Sequence, residues 1–132
     1  MIEMALVEFL NGVPEVAALV GGRIYPDVLP EGVVYPAVEF QRISTQRERS
    51  LGTRSGLAHP RFQLTVWAET RLETLNVARA LQAALDGASG DWPFDGGSVA
   101  VDDVELVDER GLYEVAPRTF GEQLDFVIHH AE

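Results

Sequence analysis

Arg61-Phe62-Gln63-Leu64-Thr65-Val66-Trp67-Ala68, followed at once by Glu69-Thr70-Arg71-Leu72-Glu73, is the stretch that decides the fold class. In its first eight residues Phe62, Leu64, Val66 and Ala68 alternate with Arg61, Gln63, Thr65 and Trp67. That two-residue period belongs to a strand with one buried face. The period then changes. Thr70 and Glu73 stand at capping-box spacing, in which Thr70 accepts from the Glu73 backbone and Glu73 reaches back. Behind the cap, Leu72, Leu75, Ala78, Leu81 and Leu85 predict the buried stripe of a helix, and Gly87 predicts its stop. A strand and a helix that each carry one apolar face call for helix layered on sheet.

Upstream, Ile2, Leu6, Phe9 and Leu10, then Val16, Leu19 and Val20, predict helix over residues 2–20 in two pieces. Asn11-Gly12-Val13-Pro14 separates them, because Pro14 suits a first helical turn and not a helix interior. Gly21-Gly22 supplies the stop. Residues 23–26 read as a short extended piece, followed by a loop through Pro30, Gly32 and Pro36. Residues 37–44 predict a strand, with Val38 and Phe40 on one face and Glu39 and Gln41 on the other. Residues 45–58 hold little that can be buried, and predict a long mobile loop or the tip of an extended hairpin.

Downstream, residues 87–98, with Trp92-Pro93-Phe94, are turn-rich. A strand is expected over 99–108, with a bulge or turn at Asp102-Asp103, where the apolar parity slips. A closing strand is expected over 119–129, with Phe120, Leu124, Phe126 and Ile128 facing in. The order predicts a single α+β domain over residues 1–132, a mainly antiparallel sheet with two helical segments on one face.

Composition narrows the function. Of 132 residues 46% are hydrophobic and 23% charged, enough apolar material for one core. There is no cysteine, so neither a disulfide nor a thiolate nucleophile is available. The net charge of −11 suits nucleic-acid phosphates poorly, and no direct nucleic-acid binding is expected. No run approaches the roughly 20 apolar residues of a membrane span. Met1-Ile2-Glu3-Met4 carries no basic leader, so no signal peptide is expected and a soluble, cytosolic origin is.

Chemistry-bearing motifs are sparse. No Gly-x-Ser-x-Gly elbow occurs, and Gly21-Gly22 and Gly96-Gly97 lack the spacing of a phosphate loop. His129 and His130 are consecutive and point to opposite faces of a strand, so they cannot chelate one metal together. They are expected to be a polar C-terminal fringe, and His59 a loop residue where a strand starts. Asp102-Asp103 and Asp108-Glu109 are expected to be solvated or inter-subunit charge. No catalytic residue, metal site or cofactor is expected. A small metal-dependent enzyme using carboxylates of 102–109 and a terminal histidine is the alternative from another class.

One charge asymmetry stands out. Residues 42–61 carry Arg42, Arg47, Arg49, Arg54 and Arg61 against Glu48 alone, a local +4 that leaves −15 on the other 112 residues. Read functionally, this stretch meets an acidic surface on another copy, where the planar guanidinium binds carboxylates two-pronged. Trp67, on the polar face of its strand, is either an interface anchor or covered by the 87–98 loop.

These segments, in order, resemble phage tail-completion (tail-terminator-like) proteins. The resemblance rests on Ala17-Ala18-Leu19-Val20-Gly21-Gly22-Arg23-Ile24-Tyr25 and on Tyr35-Pro36-Ala37-Val38. It continues through Phe62-Gln63-Leu64-Thr65-Val66-Trp67-Ala68 into the helix Leu72–Leu85, covering about residues 5–86. It implies a structural protein of a tailed phage or prophage that forms a ring, commonly hexameric, at the head-proximal end of the tail. The implied partners are further copies of the chain, the tail-tube protein and head–tail connector proteins. The implied location is the virion tail, after assembly in the host cytoplasm. The resemblance implies no cofactor and no catalytic residue. A neck or head–tail connector is the alternative within the same structural class. The candidate assembly contacts are Arg42, Arg47, Arg49, Arg54, Arg61 and Trp67.

Overall fold

The computed structural model describes residues 1–50, 53–115 and 117–132, and of these the side chains of 49, 50 and 53–55 lie outside the description. Two short helices open the chain, α1 (Ile2–Asn11) and α2 (Pro14–Val20). Pro14 sits in the first turn of α2, and Gly21 ends that helix in the left-handed region at φ 55°. Then come β1 (Ile24–Pro26), β2 (Ala37–Ser50), β3 (Thr53–Ala68), α3 (Arg71–Leu85), β4 (Gly90–Phe94), β5 (Gly97–Glu114) and β6 (Thr119–Ala131). The strands form one sheet in the order β1-β2-β3-β6-β5-β4. Only β1 and β2 are parallel; the other neighbours are antiparallel. This is the expected α+β class. Leu6, Leu10, Val20, Leu81 and Leu85 of the helices pack on Phe62, Leu64, Phe126 and Ile128 of the sheet.

The strand-to-helix junction forms largely as read. The Thr70 hydroxyl accepts from the Glu73 N–H at 3.1 Å. The stripe is displaced, however: Thr74, Val77, Ala78, Leu81 and Leu85 are buried, whereas Leu72 is 70% exposed. Thr74 turns inward because its hydroxyl donates to Thr70 O at 2.8 Å and Phe120 O at 3.1 Å, tying the helix start to β6.

Residues 45–50 and 53–58 follow the extended-hairpin alternative and not the loop: β2 and β3 continue through them as a long antiparallel hairpin, with residues 51 and 52 outside the description. Two further expectations need correction. The turn-rich 87–98 segment contains β4, whose Trp92 is buried and stacks on Phe9 with centroids 4.2 Å apart. His59 lies inside β3 and not at a strand start. The bulge expected at Asp102-Asp103 is present as a register shift between Val101 and Asp103. A second shift between Leu106 and Asp108 places Val107 at a bulge that the sequence did not announce.

Candidate functional site

The sheet has two ends with different surfaces. At the hairpin end, Arg47 makes a two-pronged pair with Glu132, Nε to Oε1 at 2.6 Å and Nη2 to Oε2 at 2.9 Å. Arg42 lies 3.6 Å from Glu3 and donates to the Thr45 hydroxyl at 3.2 Å. Arg61, further along β3, donates to Asp125 Oδ2 from both Nε (3.1 Å) and Nη2 (2.8 Å). The side chains of Arg49 and Arg54 lie outside the described residues. The described arginines of the basic stretch are thus engaged within the chain while staying partly exposed.

At the opposite end, β3 runs into α3 and β5 turns back into β6. Trp67 projects from the helix-free face and donates from Nε1 to Glu39 Oε1 at 2.9 Å. Its ring lies on Gly121, where an added Cβ would come 2.8 Å from Trp67 Cζ3. The hollow beside it is lined by Leu29, Tyr35, Glu114, Pro117 and Thr119, so the 87–98 segment does not cover it. Val28 (74%) and Val34 (63%), next in sequence to Leu29 and Tyr35, and Tyr113 (51%) and Val115 (75%), on either side of Glu114, are exposed. Gly121→Ala is expected to push the indole off its seat and cost about 1–3 kcal/mol. Urea unfolding followed by tryptophan fluorescence would read both effects, and unchanged stability would mean that the ring is not seated there.

Residues 4–130 match the family described as tail completion protein gp17. The chain belongs to that family. It is therefore a structural component of a phage tail. Its fold is shared by a chain of the virion of a native gene transfer agent particle, at a TM-score of 0.76 and 16% identity, over 98% of this chain and 93% of that one. No curated protein matches the sequence.

The remaining chemistry of this tail completion protein is spread over both sheet faces. On the helix-free face, Asp125 is buried between Arg61 and Arg110. On the same face His59 and His129 meet, with Nδ1 atoms 2.6 Å apart. The reading of His129 and His130 as a polar fringe therefore holds for neither: His130 is buried, and His129 belongs to a cross-strand cluster. The bulge at Val107 turns Glu109 to the helix side, where it pairs with Arg79 and neighbours Glu122. Glu109 is thus no freely solvated charge. Burial first, then the hydrogen bond with Glu109 and its charge, raise the Glu122 carboxyl to about 7, against the pull of Arg71 and Arg79. Among the described residues no group of three or more His, Asp or Glu is arranged to hold a metal ion. No described helix is long and apolar enough to cross a membrane.

Proposed function

We propose that this protein closes the head-proximal end of a phage tail as a ring of identical subunits and joins the tail to the head, without catalysing a reaction. The family match over residues 4–130 carries the reading. The likeness of fold to a chain from a gene transfer agent virion supports it. In this reading the protein assembles in the host cytoplasm and ends in the virion tail, with tail-tube and head–tail connector proteins as neighbours.

The two ends of the sheet fit head-to-tail association, in which one surface of each copy meets a different surface of the next and rotation closes the ring. The end that carries Val28, Val34, Tyr113 and Val115 supplies the apolar area. Arg42, Arg47, Arg49, Arg54 and Arg61 steer an acidic partner surface, and Trp67 flanks the apolar end as an aromatic anchor. Each contact is moderate, and closure of the ring multiplies it.

Native mass spectrometry of the purified chain, with and without tail-tube protein, tests this. A closed oligomer is expected, and a strict monomer at high concentration in both conditions would sink the ring. Val28→Asp with Val115→Asp is expected to leave unfolding within about 0.5 kcal/mol of the parent, as for other exposed sites. The same pair should abolish the oligomer; normal assembly by this variant would remove the apolar end from the interface.

A further inference from the structure

The register of β3 on β6, with Ala58 opposite His130 and Arg61 opposite Val127, sets His59 beside His129 on the helix-free face. Their rings are 4.8 Å apart by centroid, and the two Nδ1 atoms face each other at 2.6 Å. Each outer nitrogen is turned toward a carboxylate. His129 Nε2 lies 2.5 Å from Glu105 Oε1 on β5, and His59 Nε2 lies 3.4 Å from Glu48 Oε1 on β2. Four strands thus contribute one row: carboxylate, imidazole, imidazole, carboxylate.

We propose that His59 and His129 form a two-imidazole site for a divalent transition ion of the zinc, nickel or copper class, held between the two Nδ1 atoms. Two facing Nδ1 lone pairs repel and two N–H groups clash, so without an ion one ring's Nδ1–H donates to the other's Nδ1. A metal ion takes the place of that proton and accepts both lone pairs. Metal-bound imidazole usually donates its other N–H to a carboxylate, which fixes the tautomer and raises basicity. Glu105 stands where one such acceptor is required, and Glu48 lies within ion-pair distance of the other ring. Nitrogen donors select zinc, nickel and copper over calcium and magnesium.

The geometry needs only a small adjustment. Bonds of about 2.0–2.1 Å at a tetrahedral ion put its two nitrogens roughly 3.3 Å apart, so the rings would part by about 0.7 Å. Ser44, Gln46, Arg61 and Val127 line the rest of the hollow, and Arg61 is held by Asp125. No third His, Asp or Glu among the described residues completes a ligand set. The site is therefore open, with its remaining positions left to water or to a donor from another molecule. This inference does not depend on ring formation.

Isothermal titration of the full chain with nickel chloride at pH 7.5 is expected to give one ion per chain, and calcium chloride none. Binding should weaken as pH falls and protons compete for the imidazoles. His59→Ala and His129→Ala should each lower affinity at least tenfold. Glu105→Gln, at an exposed position, should lower it about 10-fold with circular dichroism unchanged. Substituting cobalt gives a second readout, a visible d–d band that the histidine variants lose. Absence of nickel binding at millimolar metal, or affinity retained in either histidine variant, would overturn the site.

Discussion

Trp92→Ala is expected to cost about 3–5 kcal/mol, as for other large aromatics removed from a core. Trp92 is 2% exposed and stacks on Phe9 at an interplanar angle of 14°, so it joins β4 to α1. Its deletion would leave a void that neither a five-residue edge strand nor a ten-residue helix can close. The indole Nε1 finds no acceptor among the described residues. Trp92→Phe should therefore be far milder, near 1 kcal/mol or less, because losing that unsatisfied donor offsets part of the lost area. Urea midpoints followed by far-UV circular dichroism would compare the two. Equal losses would mean that the ring's volume is not what β4 contributes, and a loss under 1 kcal/mol for alanine would make β4 peripheral.

Trp92 also shows where sequence reading stops. Its segment, Gly90-Asp91-Trp92-Pro93-Phe94, contains glycine and proline and buries only one residue fully, so its strand period is too short to register. An edge strand tolerates Pro93 because one side of it needs no ladder partner. The β2–β3 hairpin stayed undecided against a loop for a different reason. Residues 41–48 are strand, but all except Thr45 are exposed, so the side chains carry no apolar alternation. Periodicity reports burial and not pairing. The helices cover only part of the sheet, and a strand that outruns them looks polar on both faces.

Where helix and sheet do overlap, the reading was close. Phe62, Leu64, Val66 and Ala68 are buried as the alternation required, and α3 begins at the Thr70 cap. The error at Leu72 came from treating leucine as the inward residue, when Thr74 had a local hydrogen-bonding reason to turn in. The site was less legible. His59 and His129 are 70 residues apart, and only the β3–β6 register brings them together. The arginines of 42–61 were found as charges, but their in-chain acids, Glu3, Asp125 and Glu132, lie far off in the sequence. The exposed valines at 28, 34 and 115 sit in loops, where single apolar residues carry no periodic signal.

Glu122→Gln is expected to change how stability depends on pH. Glu122 is 8% exposed on the helix side of β6, with Arg71 Nη1 3.4 Å from its carboxylate. Its carboxyl is raised to about 7, by burial first and then by Glu109. The folded chain therefore holds a proton that the unfolded chain releases near its ordinary value of 4.5. Stability from this proton is complete below that value, is lost as pH rises toward 7, and is absent above it. A shift of this size is worth up to about 3 kcal/mol across the window. Glutamine keeps an N–H donor toward Glu109 and cannot ionise, so it holds the chain in the equivalent of the protonated form. The variant should match the parent near pH 4.5 and exceed it by about 2–3 kcal/mol at pH 8, measured by urea unfolding at each pH. A constant difference at all pH values would show that Glu122 carries no proton in the folded state. The Val107 bulge would then have brought Glu109 inward only to pair with Arg79.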